Sequence, residues 1–247
     1  AIYKAGETAS FFQNRPTSDT IWRGTYSSLS RIIQPFQKAF TPIGTTTFKP
    51  NSFDLFKLKI DLQETPDDLE DSYLGFLADV EELDRSKWPF VRWWMEFHVM
   101  PKKEEDLESV EYFNGVFATP TPGTAGDAGT SMDGLEKIIS AYNTAGRTNV
   151  GNGAISIGTP ATDAADWCTQ VEEFAAAIPS QFRKKIDYIF MSLDLELRYK
   201  QGKREKYNMQ YQLSNDLYNI EDYPNMKVKG LESHAGSELI WATIPGN

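Results

Sequence analysis

Pro16, Gly24, Pro35, Pro42, Gly44 and Pro50 punctuate the first 50 residues so closely that no helical or strand period is sustained between them. The same stretch carries Phe11, Phe12, Trp22, Phe36, Phe40 and Phe48. A segment broken in this way cannot bury its rings in a core of its own, and a monomer rarely exposes that much apolar surface. We therefore expect residues 1–50 to pack mainly against other copies of the chain. Within them, Ile21, Trp22, Tyr26, Leu29, Ile32 and Ile33 suggest one short amphipathic turn that Pro35 stops.

Charge sharpens this expectation. Residues 1–59 hold eight Lys/Arg against three acids, a net +5, whereas residues 60–118 hold five against sixteen, a net −11. A basic arm next to an acidic body pairs readily with itself or with a neighbour. The acidic total of −10 argues against broad or sequence-specific nucleic-acid binding, which needs clustered Lys/Arg. At 247 residues the chain can bury a core without staples. Its one cysteine, Cys168, excludes an internal disulfide and any cysteine-based metal cluster. The absence of a signal-type leader, of a membrane-spanning run and of an Asn-x-Ser/Thr acceptor leads us to expect a soluble protein that is not secreted.

Beyond residue 50 the periods become legible. Residues 52–62 alternate as a strand, with Phe53, Leu55, Leu58, Ile60 and Leu62 as the apolar positions. Thr65 or Asp67 caps a helix whose buried face is Leu69, Tyr73, Phe76, Leu77, Val80 and Leu83. Pro89 and Pro101 break the stretch that follows. Its apolar part, 88–100, reads as buried on several sides, with Trp93 or Trp94 against the sheet that contains 186–193. A helix then ends at Asn114-Gly115, and 119–131 is a turn-rich loop. Asp133 and Glu136 suggest a capping box, residues 155–157 a strand, and Asp163 or Asp166 a cap for a helix closed by Pro179. The run 186–193 reads as a buried strand, and Ser192 as the cap of a short helix stopping at Gly202. Strands follow at 226–232 and 238–243. Irregular alternation of this kind predicts an α+β fold.

Catalytic signatures are absent from the sequence. The glycine-rich runs 123–129 and 145–158 lack the Gly-Lys-Ser/Thr ending of a phosphate loop. The carboxylates Asp61, Glu64, Asp67, Asp68, Glu70 and Asp71 suit a helix start better than a cation site. Trp88, Trp93 and Trp94 resemble a sugar platform, and paired acids could serve a hydrolase, but an apolar segment more simply uses such rings as core. His98 reads as a hydrogen-bonded core histidine, His234 as an exposed residue beside a turn, and Cys168 as inert packing. We expect no enzyme, no cofactor and no metal.

The order of elements does point somewhere. An irregular basic arm leads into FTPIGTTTFKPNSFDLFKLKID, an extended loop returning on a strand. The capped acidic helix PDDLEDSYLGFLADVEEL and a long helical segment ending in EYFNGV follow. Then come MDGLEKIISAYNT, DWCTQVEEFAAAIP, IDYIFMSL with ELRYKQG, and YPNMKVKGLES. This succession resembles the major capsid proteins of tailed bacteriophages, whose shell fold was first seen in the Hong Kong phage. The resemblance implies an N-terminal arm (1–34), an extended loop and returning strand (35–62), a peripheral domain with a kinked spine helix (63–118) and an axial domain (119–247). The strands with which the family usually closes the peripheral domain do not follow IWATIPGN here, so either the protein is trimmed or the sequence is part of a longer one.

What the resemblance implies about function is a self-assembling virion protein of the icosahedral head shell. Its partners would be other copies in hexameric and pentameric capsomers and other virion proteins, with no membrane. It would form in the host cytoplasm and reside in the virion. The expected assembly interface comprises Phe11, Phe12, Trp22, Phe36 and Phe48, with Lys49, Lys57 and Lys59 approaching Asp67, Asp71, Glu104 or Glu108 of a neighbour. The alternatives are a hydrolase or carbohydrate-binding module built on the tryptophans, and another head component.

Overall fold

The computed structural model describes residues 6–12, 17, 19–80, 87–148, 153–208 and 217–244; the side chains of Tyr26, Ser28, Lys49, Asn51 and Pro66 lie outside that description. The chain forms two units, residues 14–59 and residues 1–13 together with 60–247. Both helices and sheets are present, and the fold class is α+β.

The smaller unit is an antiparallel ribbon of β1 (Ile21–Leu29) and β2 (Thr46–Asp54), paired from Ile21 with Asp54 to Leu29 with Thr46. This corrects two expectations. Residues 21–29 are a strand and not an amphipathic turn, and the returning strand precedes 55–62, which is irregular. Gly24 and Pro50 hide the alternation, yet both are tolerated because a two-stranded ribbon has only edges. Trp22 faces Phe53 across the pair, ring centroids 5.4 Å apart. That cross-strand contact is consistent with the observed register.

In the larger unit α1 (Pro66–Asp79) starts with proline at its first position after the extended Thr65, whose side chain makes no capping bond. A second helical run follows without interruption through α2 (Phe90–Trp94), a π turn (Met95–Val99), α3 (Met100–Asp106) and a second π turn (Leu107–Glu111). Of the break or kink expected at Pro101, the break is absent. The Met100 N–H bonds the Met95 carbonyl five residues back, and this widened turn makes room for a proline ring that would clash in a regular helix. The apolar stretch is buried on one side only. Trp93 and Val99 are buried, whereas Val91, Met95 and Met100 are exposed. Trp93 packs on Tyr73, Phe76 and Phe90, so it meets α1 and belongs to neither apolar cluster around the sheet.

The remaining elements are α4 (Leu135–Thr144), α5 (Ala164–Ala177), α6 (Ser180–Arg183), β3 (Tyr188–Ser192), α7 (Leu193–Tyr207), β4 (Asn219–Ile220), β5 (Tyr223–Leu231) and β6 (Trp241–Ala242). Their sheet runs β4-β5-β3-β6, with β3 parallel to β5 and antiparallel to β6. The two-residue period of β3 divides the core. Ile189 and Met191 join Trp167, Val171, Leu195 and Tyr199 from α5 and α7, while Phe190 turns to Phe113, Leu231 and Trp241 on the other face. Asp163 caps α5 by accepting from the Ala165 and Asp166 amides, as its position predicts.

Other local expectations give way to packing. No capping box forms at α4; the Asp133 carboxylate instead accepts from the Phe117 amide and pairs with Lys137. Residues 155–157 are not a strand, although Ile155 and Ile157 lie against the core. Nor does α7 stop at Gly202. There, an added Cβ would lie 1.8 Å from the Ala164 carbonyl oxygen, so the glycine serves close approach of α7 to the start of α5.

Candidate assembly surface and buried relay

The tip of the ribbon, residues 30–45, is irregular but tied down. The Ser30 amide donates to the Thr45 carbonyl at 3.1 Å, the Thr45 amide to Ser30 Oγ at 2.7 Å, and Gln34 Nε2 to the Thr41 carbonyl at 2.8 Å. On this scaffold Ile33 is 80% exposed, Phe36 93% and Phe40 94%, and Ile32, Leu29 and Phe48 are exposed as well. The side chains beside them are basic, from Arg23 to Arg31 and Lys38. Chemically this is an exposed apolar surface on a hydrogen-bonded tip, with Arg23, Arg31 and Lys38 along the same segment.

The expected interface residues fall into distinct environments. Phe36 and Phe48 belong to the exposed surface, Trp22 is half-buried against Phe53, and Lys57 and Lys59 lie on the exposed stretch after β2. Lys49 stands in β2 opposite Tyr26; its side chain is outside the described residues. Asp67 and Asp71 are exposed on α1, and Glu104 pairs with Lys103 at 2.7 Å. Phe11 and Phe12 pack within their own chain: Phe11 meets Tyr188 and Phe190 edge-on at 5.4 and 5.2 Å, and Phe12 stacks on Trp241 at 6.0 Å. Glu108 is 1% exposed and bonded within its own chain. It therefore leaves the set of surface acids that a neighbour's lysine could meet.

Glu108 anchors a buried relay that the sequence did not suggest. Its Oε1 accepts from Thr8 Oγ1 at 2.5 Å, and the Thr8 amide donates to the same carboxylate. Thr8 Oγ1 lies 2.6 Å from Ser233 Oγ, which lies 3.0 Å from His234 Nδ1. Trp241 Nε1 donates to His234 Nε2 at 2.8 Å. The indole N–H is a donor only, so Nε2 is the accepting nitrogen and a neutral ring carries its proton on Nδ1. The proton order then runs one way: indole to imidazole, imidazole to serine, serine to threonine, threonine to carboxylate. His234 is fully buried, stacked on Phe113 at 3.6 Å, and burial pushes its pKa down to about 4. The two histidines thus exchange their expected places, since His98 is exposed and touches Trp93 edge-on.

A second buried carboxylate, Glu111, accepts from the Gly129 and Ser131 amides at 3.0 and 3.2 Å. The glycine-rich loop does wrap an anion, but the anion belongs to the chain itself. Cys168 is buried beside Glu172, and desolvation followed by that charge pushes its thiol up to about 12, which suits packing and not nucleophilic chemistry. Trp88 and Trp93 pack on Phe76 and, in the case of Trp88, on Phe97, with Arg92 over the Trp88 ring. These rings are engaged within the chain, by Phe76, Phe97 and Arg92. No group of three or more metal-ligating side chains converges among the described residues, and no helix among them is long and apolar enough to cross a membrane. No protein-family model matches the chain, and neither a curated protein nor a solved structure does.

Proposed function

We propose that the chain is a structural protein of a tailed-bacteriophage head, one that assembles with its own copies into hexameric and pentameric capsomers of an icosahedral shell. One observation carries the reading: a hydrogen-bonded ribbon holds Ile33, Phe36, Phe40 and Phe48 in solvent. A two-stranded ribbon is marginal alone, and a fixed apolar face of this kind is satisfied by a partner. The charge split supports a second copy as that partner, because the basic residues lie with the ribbon and the acids with 60–118. The α+β unit with one long helical run is compatible with a shell fold of arm, extended loop, spine and axial domain. On this reading the protein acts without catalysis or cofactor, forms in the host cytoplasm and resides in the virion.

A negative-stain micrograph of the purified full chain tests the proposal. Capsomers or closed particles are expected. A monodisperse 28.0 kDa monomer at all concentrations would count against it.

A further inference from the structure

We propose that residues 6–12 are an acid-released clasp: a proton on His234 breaks its bond with Trp241 and frees the segment from the rest of the larger unit. The inference does not depend on the capsid reading. His234 Nε2 accepts from the Trp241 indole N–H at 2.8 Å, and Nδ1 serves the relay through Ser233 and Thr8 to Glu108. An indole nitrogen only donates. A second proton on the ring must therefore go onto Nε2, where it faces the indole N–H and sets two donors against each other in a dry site. The Nδ1 end of the relay keeps its order, so the fault falls on Trp241.

What yields is decided by how each side is held. His234 and Phe113 are both fully buried and stacked at 3.6 Å, so moving the imidazole would open the core. Trp241 lies in β6, a strand of two residues, and Phe12 stacks on it at 6.0 Å. The segment itself is a single 3-10 turn, Thr8–Phe11, in no sheet, and such pieces open at the smallest cost. Besides Phe12 it is held by Phe11 on Tyr188 and Phe190, by Glu7 on Lys229, and by Thr8 on Glu108 and Ser233. Its departure uncovers Ser233 and Trp241 and admits water to the imidazolium. The charged groups around the histidine are Glu108 and Glu111 on the helical run, Glu232 on its own turn and the Glu7–Lys229 pair, while Tyr188 and Phe190 of β3 take no proton in acid. Burial holds the histidine's pKa at about 4 while the segment is seated, and an opened site returns it towards the ordinary 6.5. The open form therefore binds up to one extra proton between those values, and acidification raises its population by up to about tenfold per pH unit.

Hydrogen exchange of the full chain from about pH 7 to about pH 4, corrected for the intrinsic amide rate, tests the clasp, with Tyr188–Ser192 of β3 as the internal reference for global unfolding. Protection of 6–12 should fall by up to about tenfold per pH unit while β3 stays protected. His234→Gln, whose amide can accept from the indole but does not titrate, should flatten the response. Trp241→Phe removes the opposing N–H and should shrink the total loss of protection, which keeps the test decisive if the glutamine variant folds poorly. Glu108→Gln should keep the response, because the carboxylate sits at the other end of the relay. Equal protection of 6–12 in wild type across the whole range overturns the proposal. So does a wild-type response in His234→Gln or in Trp241→Phe, a response abolished by Glu108→Gln, or loss of protection in 6–12 and β3 together.

Discussion

The two units of this protein invert each other. In the larger one, Glu108, Glu111, Lys203 and His234 are buried and Trp167 is 0% exposed, with each of these side chains engaged. In the ribbon Ile33, Phe36, Phe40 and Phe48 face solvent, Trp22 and Phe53 only half-cover each other, and the polar groups of the tip hold the backbone in place. The first arrangement is what a self-sufficient domain does with polar groups it must bury. The second is what a segment does when its apolar complement lies on another molecule. Burial therefore measures how complete each unit is by itself.

The largest test of that contrast is a pair of truncations. Trp167→Ala should cost the subunit about 3–5 kcal/mol, read as a lowered denaturation midpoint, because it empties the core beneath α7. Phe36→Ala should change subunit stability by no more than about 0.5 kcal/mol. Equal losses would erase the distinction. Gly202→Ala sharpens it by sign: alanine is the better helix former by about 1 kcal/mol, yet here it should destabilise clearly, since the Ala164 carbonyl occupies the space. An unchanged or raised midpoint would remove the close approach from the account.

His234 gives an effect confined to the larger unit. Its folded pKa lies near 4, below the ordinary 6.5, so between those values the unfolded chain binds the extra proton. Stability contributed by the neutral ring is complete above about pH 6.5 and is lost as pH falls towards 4, with a slope of at most about 1.4 kcal/mol per pH unit. Chemical denaturation at several pH values should show this slope, and His234→Gln should abolish it. A slope that survives in the variant would assign it to other groups. The smallest effect is electrostatic. Reversing Lys49, Lys57 and Lys59 should lower particle yield at low salt while leaving the subunit folded, because each exposed pair is worth only about 0–1 kcal/mol but a shell repeats it. Unchanged yield from low to high salt would detach these lysines from assembly.

Sequence reasoning succeeded where one element decides its own fate. Asp163 caps α5 through neighbouring amides, and β3 announces itself as an apolar run. It failed where the deciding partner is remote. Glu108 looked like one surface acid among many because its partner, Thr8, is 100 positions away. His234 looked exposed because nothing near it in the chain announces Phe113 or Trp241 as its cover. Gly202 read as a helix stop because the Ala164 carbonyl that requires it lies on another helix. Of the expected interface residues, Phe36 and Phe48 were legible as unsatisfied rings, whereas Phe11 and Phe12 were not distinguishable from them without knowing where β3 and β6 present Phe190 and Trp241.

Sedimentation velocity over a concentration series, run on wild type and on Phe36→Ser/Phe40→Ser, tests most directly whether the ribbon's apolar face is covered by another copy. Wild type should sediment as capsomers or larger particles, and the variant as a folded 28.0 kDa subunit with an unchanged far-ultraviolet spectrum. A wild-type chain that stays monomeric throughout, or a variant that assembles as wild type does, would contradict the account.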